Sequence, residues 1–279
     1  MTWTFTRDLN TYLETAGPAV GADAVSNTML LTVADALARR GVHAFGDEDP
    51  VFGWWTGPDG RVAGALLWTP PHPLLLGAVP PEAVSALAAD PLLGAAGGFN
   101  ARRADAEALA AAWGRPSRVE EEQRLYRLPG REGLVPPDPA PAGSARTAVP
   151  DDLPLLVEWF AAFNADVGES GTPSEAVLLD RISYGGLVLW EDPAATPVSM
   201  AGHSRTVGGA ARLFPVYTPA PLRGRGYAAA VTTAASRAAY ASGAGEVLLF
   251  TDLANPTSNG VYLRLGYRPV EDRTIVVPV

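Results

Sequence analysis

The segment that most constrains the fold of this chain is a strand, a glycine-containing turn and a helix that follow one another within residues 211–241. An apolar run comes first, the turn contains Gly224 and Gly226, and an alanine-rich stretch then predicts a helix of about four turns. Glycines leave the backbone amides unshielded, and a helix start adds unpaired N–H groups and a positive dipole end. Together with Arg223 and Arg225, the turn predicts a site for a pyrophosphate or a similar anion.

The same turn allows two other interpretations. Residues 224–229 also match a dinucleotide-binding fingerprint, with Glu246 about twenty residues further on. However, Glu246 precedes the next apolar strand, whereas a ribose-binding acid follows it, and too little chain remains to complete such a fold. We therefore disfavour the dinucleotide interpretation. The other alternative, a tight turn with surface arginines and no ligand, stays open on this segment alone.

A second informative stretch lies at residues 247–270. Asn255 followed by Pro256 is a favourable pair for a helix start, and Gly266 is a favourable helix stop. On the predicted helix Asn259 and Tyr262 are three residues apart, so both side chains can face one cleft. By itself such a pair would more often lie on the surface than in an active site.

Together, the two stretches resemble the GNAT family of acyl-CoA-dependent N-acyltransferases. The family's phosphate loop, Arg/Gln-x-x-Gly-x-Gly/Ala, is matched by Arg223-Gly-Arg-Gly226-Tyr-Ala228. Its later signature is matched by Asn255-Pro-Thr-Ser258-Asn-Gly-Val-Tyr262-Leu-Arg-Leu-Gly266-Tyr267. The resemblance covers residues 145–279, and its extension to the first half is a hypothesis.

The resemblance implies a cofactor site in the second half. The turn would hold the pyrophosphate of acetyl-CoA, and the end of the preceding strand would pair with the pantetheine arm and supply an amide for the oxyanion. Tyr262 would be the catalytic general acid that protonates the departing thiolate. The implied cofactor-binding residues are Val216, Tyr217, Thr218, Arg223, Gly224, Arg225, Gly226, Tyr227, Ala228, Ala229, Asn255 and Asn259.

The resemblance also implies direct attack of an amine on the thioester, which suits a chain without cysteine. The general base is not assigned. Many family members use a Glu early on the strand that ends at the phosphate loop, but residues 211–215 contain no carboxylate. Asp252, Glu169 and His203, each acting through water, stay open as alternatives.

A proline-rich stretch at residues 136–141 divides the chain. We predict a first lobe at residues 1–130, a linker at 131–144 and a catalytic domain at 145–279. The expected fold class is a mixed α/β sheet fold, with the GNAT fold in the second half and a degenerate copy in the first. An unrelated α/β domain is the alternative for the first half. Residues 70–82 have one glycine, no arginine and several prolines without amide donors, so this lobe is expected to lack a cofactor site.

Composition restricts the function classes further. A net charge of −9 argues against nucleic-acid and anionic-membrane partners, and the absence of cysteine excludes disulfides, thiolate zinc sites and cysteine nucleophiles. The three histidines lack the spacing of a metal site, and no signal peptide or membrane-length apolar run is recognisable. We expect a cytoplasmic monomer or homodimer that uses acetyl-CoA and no metal.

The leading functional hypothesis is therefore an N-acetyltransferase that acts on a primary amine of a small molecule or on an exposed peptide amine. The alternative is a non-catalytic CoA-binding or sensing module. A purely structural partner protein is a third class, and it would show no stabilisation by CoA.

Overall fold

The computed structural model describes residues 1–168 and 173–279, which form two compact units. The first unit consists of Met1–Leu125, Thr251–Ala254 and Val270–Val279, and the second of Tyr126–Phe250 and Asn255–Pro269. The division into residues 1–130, a linker at 131–144 and residues 145–279 stays a prediction, and the contacts additionally assign Thr251–Ala254 and Val270–Val279 to the first unit.

The first half of the chain contains six helices and six strands among its described elements. They are β1 (Thr2–Thr6), α1 (Leu9–Thr15), α2 (Gly17–Ala22), α3 (Thr28–Arg40), β2 (Val51–Thr56), β3 (Val62–Trp68), β4 (Leu74–Leu76), α4 (Pro81–Ala88), α5 (Pro91–Ala95), β5 (Phe99–Arg102), α6 (Arg103–Ala112) and β6 (Ser117–Leu128).

The second half continues with elements of the same two kinds. They are β7 (Ser144–Thr147), α7 (Leu153–Val167), α8 (Glu175–Ser183), β8 (Leu187–Glu191), β9 (Pro197–His203), β10 (Ala210–Tyr217), α9 (Tyr227–Ala241), β11 (Glu246–Asp252), α10 (Pro256–Arg264) and β12 (Arg268–Pro278). Three of the strands, β6, β11 and β12, are divided between the two units.

The first unit is built on a mixed sheet with the strand order β1, β2, β3, β4, β5, β12. β4 and β5 run parallel, whereas the other registered neighbours run antiparallel. Successive residues of β3 face opposite sides, because Leu66 packs in one cluster with Leu87 of α4 and Leu67 in another with Leu37 of α3. Helices therefore cover both faces of this sheet.

The second unit has a mixed sheet with the order β6, β11, β10, β9, β8, β7. β10 and β11 run parallel, and β7, β8, β9 and β10 follow one another antiparallel. Neighbouring residues of β9 face opposite sides of this sheet. Ala201 packs in a cluster with Val231 of α9, and Met200 packs in a cluster with Leu178 of α8. The predicted mixed α/β fold is thus confirmed in both units, and each contains a parallel strand pair joined through a helical connection.

The elements around the predicted cofactor turn form where the sequence places them, since α9 spans the predicted helix and α10 begins at Pro256. β12 is one continuous strand that pairs with β5 over residues 273–276, and β4 is a strand only over Leu74–Leu76.

Within residues 1–168 and 173–279, no helix is both long enough and apolar enough to span a membrane.

Candidate active site

The strand β10 changes partners along its length. It pairs in parallel with β11 over residues 210–212, and it pairs with β9 as far as Tyr217, which lies opposite Met200. The register with β9 is irregular between Leu213 and Val216. The registered pairing of β10 with β11 ends at Arg212, so the β11-side edge of residues 213–217 has backbone groups to which an extended ligand can pair as a strand would.

Side chains of β9 hold the end of β10 in place. The Ser199 hydroxyl donates to the Tyr217 carbonyl oxygen at 2.9 Å, and its Oγ lies 2.8 Å from Oγ1 of the buried Thr218. The Tyr217 ring is tilted against Trp159 of α7, with centroids 6.1 Å apart. Val216 and Tyr217 are partly buried, so the strand end is ordered by packing.

The turn between β10 and α9 takes its shape from two glycines. Gly224 has φ +77° and Gly226 φ +83°, a region that favours glycine. A Cβ atom would meet open space at Gly224 and only ordinary van der Waals contact with Pro141 at Gly226. Glycine is therefore favoured at both positions by the positive φ angles and not by a lack of space for a side chain. Gly226 is the N-cap of α9 and has no side chain to cap the helix. The first-turn amides of residues 227–229 are consequently available to an external anion.

The two arginines of the turn are held differently. Arg223 Nε donates to the Thr218 carbonyl oxygen at 2.9 Å, and its Nη2 forms an ion pair with the Asp166 carboxylate of α7. Arg225 is exposed, and among the described residues its side chain contacts the Pro221 carbonyl oxygen, at 3.4 Å. Arg223 thus stabilises the turn, and the guanidinium of Arg225 is more accessible to a ligand.

Tyr262 lies on α10 within the apolar cluster that also contains α9 residues. Its side chain is 9% exposed, and its ring contacts those of Tyr126 and Tyr267 at centroid distances of 6.4 and 6.0 Å. Burial raises the pKa of Tyr262 to about 12, so the phenol is protonated near neutral pH.

The two asparagines of the second motif are occupied within the protein. Asn255 Oδ1 accepts from the Ser258 amide at 3.0 Å, which is the predicted helix cap. Asn259 Oδ1 accepts from the Tyr126 hydroxyl at 2.8 Å, and its Nδ2 donates to the Asn255 carbonyl oxygen at 2.7 Å. Sequence reasoning missed Tyr126, because an aromatic residue near the end of a strand is an unspecific signal.

The three candidate residues for the general base lie in different environments. Glu169 lies outside the described residues. Asp252 belongs to the first unit and caps a turn, since its Oδ1 accepts from the Ala254 amide at 2.8 Å. His203 is 1% exposed, its Nδ1 lies 3.0 Å from the Ser204 carbonyl oxygen, and burial lowers its pKa below the usual value. A neutral His203 can accept a proton, but its burial removes it from direct contact with solvent.

The corresponding turn of the first unit, between β4 and α4, uses its amides internally. The Gly77 amide donates to a carbonyl of β3 at 2.9 Å, and the Ala78 amide donates to Oδ1 of the buried Asn27 at 3.0 Å. Pro80 and Pro81 follow and have no N–H. The amides of Gly77 and Ala78 are therefore occupied within the protein, unlike those of residues 227–229.

No protein-family model matches the sequence, and no curated protein matches it significantly. Solved structures do match its fold. A GNAT-family acetyltransferase from Colwellia psychrerythraea is 13% identical, with 99% of this chain and 98% of that chain covered and a TM-score of 0.59. A GCN5-related N-acetyltransferase from Kribbella flavida is 18% identical, with 91% and 95% covered and a TM-score of 0.59.

A tandem GNAT protein from the clavulanic acid biosynthesis pathway is also similar over almost the full length. It is 15% identical, with 99% of this chain and 97% of that chain covered and a TM-score of 0.54. The resemblance inferred from the two motifs is therefore confirmed at the level of the fold. The chain has the GNAT fold, the fold of the GCN5-related N-acetyltransferases.

Proposed function

We propose that this protein is an N-acyltransferase that transfers the acetyl group of acetyl-CoA directly to a primary amine of a small molecule or an exposed peptide. One observation carries the proposal. The β10 edge of residues 213–217, the left-handed glycine turn at the start of α9 and the buried phenol of Tyr262 belong to one compact unit.

The residues of this unit fit the parts of acetyl-CoA. The open amides of residues 227–229 and the exposed Arg225 suit the pyrophosphate, because both are donors to an anion. The edge of residues 213–217 suits the amide-containing pantetheine arm, which can pair with it in the manner of a strand. The bound thioester supplies an activated carbonyl to the reaction.

The chain's own groups would then serve the transfer. A backbone amide at residues 216–218 donates to the oxyanion that forms when the amine attacks the thioester carbon. Tyr262 donates its hydroxyl proton towards the departing sulfur, while the attacking nitrogen loses a proton to water or a base. Because the phenol is protonated near neutral pH, it can donate a hydrogen bond to the negative charge that develops on the departing sulfur.

Binding of CoA tests the cofactor site. We expect CoA to raise the melting temperature of the wild type, since a ligand at about 100 times its Kd stabilises by about 2.7 kcal/mol. Gly226→Asp should abolish the increase, because it places a carboxylate and a strained residue at the turn. Gly243→Asp is the matched control, since Gly243 also has positive φ and open surroundings in the same unit. Equal CoA responses in both variants would disprove the site.

Thiol release in the presence of acetyl-CoA and a panel of amines tests the transfer. An amine-dependent release supports the enzyme. A non-catalytic CoA-binding module is the second candidate, and the absence of a carboxylate from Ala210–Tyr217 favours it. It predicts stabilisation by CoA without amine-dependent thiol release.

A further inference from the structure

Ser199 of β9 is fully buried and contacts two successive residues at the end of β10. Its hydroxyl donates to the Tyr217 carbonyl oxygen at 2.9 Å, and its Oγ lies 2.8 Å from Thr218 Oγ1. A serine hydroxyl has one proton to donate. Because that proton is directed at the Tyr217 carbonyl, the Thr218 hydroxyl is the donor in the second contact. Ser199 therefore donates to one residue and accepts from the next.

The hydrogen bond to Tyr217 determines which way the following amide points. The peptide group between Tyr217 and Thr218 is trans, and in a planar trans peptide the C=O and the N–H point in opposite directions. The Tyr217 carbonyl points towards β9, where Ser199 lies. The Thr218 amide consequently points to the other side of β10, which is the side of β11.

The other polar groups of Thr218 have partners within the protein. Its carbonyl oxygen accepts from Arg223 Nε at 2.9 Å, and its hydroxyl donates to Ser199. The residue is 8% exposed. Within residues 1–168 and 173–279, its backbone amide has no hydrogen-bond partner. Backbone amides of buried residues are normally paired, so the Thr218 amide is available as a donor to a ligand beside β10.

Ser199 extends the attachment of β10 to β9 beyond the strand pairing. The register between the two strands ends where Tyr217 lies opposite Met200, and Thr218 is the next residue. Pro219 follows and has no N–H with which to continue the pairing. Without the Ser199 hydroxyl, both the Tyr217 carbonyl and the Thr218 hydroxyl would lose a partner. The orientation of this last peptide group therefore depends on Ser199.

We propose that Ser199 is a positioning residue for the cofactor: by holding the Tyr217 carbonyl, it keeps the Thr218 amide directed at the pantetheine arm of the bound acetyl-CoA. This inference rests on the proposed function. The arm contains amide carbonyl groups, which accept hydrogen bonds from such a donor. Ser199 acts through the peptide group, because its own hydroxyl is used on the β9 side.

Two ligands that differ in the pantetheine arm test the proposal. CoA has the arm, whereas ADP has the nucleotide and the pyrophosphate without it. We expect Ser199→Ala to bind CoA about 3- to 10-fold more weakly than the wild type, because a hydrogen bond of ordinary strength is misaligned. Its affinity for ADP should stay unchanged. Ser199→Thr retains the hydroxyl and should recover most of the CoA affinity. Isothermal titration of the three proteins is the measurement.

Ser236→Ala is the matched control for a loss of packing or stability. Ser236 is also fully buried in the second unit, donates to the Thr232 carbonyl oxygen at 2.7 Å and lies 2.8 Å from the Tyr267 hydroxyl. It contacts no residue of β10 through these bonds. We expect both alanine variants to melt at a lower temperature than the wild type, but only Ser199→Ala to lose affinity for CoA relative to ADP.

Hydrogen exchange of the wild type tests the same contact without a substitution. At equal saturation, CoA should slow the exchange of the Thr218 amide and ADP should not, because only CoA brings an acceptor to it. Unchanged exchange of this amide in the CoA complex would overturn the proposal. So would equal losses of CoA and ADP affinity in Ser199→Ala, or a CoA affinity equal to that of the wild type. A wild type that binds no CoA would contradict the proposed function itself, and this inference with it.

Discussion

The hydroxyl of Tyr126 donates a hydrogen bond to Asn259 Oδ1 at 2.8 Å and thereby connects the end of β6 with α10. The two residues are separated by 133 positions in the chain. The Tyr126 ring also lies against that of Tyr262, at a centroid distance of 6.4 Å. The proposed general acid is therefore positioned by a tyrosine that neither sequence motif contains.

Removing the Tyr126 hydroxyl should loosen α10. We expect Tyr126→Phe to lower the free energy of unfolding by about 1 kcal/mol and to reduce kcat, because a partly buried Asn259 loses its donor. Tyr240→Phe is the control, since its hydroxyl makes one comparable bond, to the Leu128 carbonyl oxygen at 3.0 Å. Chemical denaturation and acetyl transfer are measured for both variants. If both lose the same activity, the positioning role is wrong.

Removing the Tyr262 hydroxyl should affect the chemical step. We expect Tyr262→Phe to lower kcat by about 10²- to 10⁴-fold with little change in acetyl-CoA affinity, because the phenol acts on the departing sulfur. Single-turnover thiol release, which isolates chemistry from product release, is the measurement. Turnover near that of the wild type in this assay would exclude Tyr262 as the general acid.

The raised pKa of Tyr262 makes a prediction about alkaline stability. Burial raises the pKa of Tyr262 from 10.0 to about 12. Between pH 10 and 12, the phenol is therefore neutral in the folded protein but ionised in the unfolded chain. The resulting stability is fully present below pH 10 and is lost as the pH rises to 12. Relative to Tyr262→Phe, the wild type should lose about 1.4 kcal/mol per pH unit in this window. Urea denaturation of both proteins across it is the measurement, and parallel pH profiles would contradict the assignment.

The turn of the first unit predicts the stoichiometry of CoA binding. Because the Ala78 amide is bound to Asn27 and two prolines follow, we expect one CoA per chain, held by the second unit. Isothermal titration of the wild type should yield one equivalent, and Gly226→Asp should yield none. Two equivalents in the wild type, or one in the variant, would show that the first unit also binds CoA.

Several local features were predictable from the sequence. The helix after the glycine turn spans the predicted residues 227–241, and Asn255 caps the next helix as its pairing with Pro256 indicated. These features depend on backbone sterics and on hydrogen bonds between residues a few positions apart. A short segment of sequence is therefore enough to predict them. The mixed α/β fold followed from the same segments, through their order and their resemblance to a known family.

Other features were decided only by the tertiary structure. The sequence identified the missing carboxylate on β10, but not that the registered pairing of β10 with β11 would end at Arg212. It identified Arg223, but not that Asp166 would pair with it from α7. The assignment of Val270–Val279 to the first unit depended likewise on which strand β12 pairs with. Strand partners and the charges around a side chain depend on contacts between residues that are distant in the sequence. Short-range propensities therefore determine the helices and strands, and the tertiary structure determines how these elements form a site.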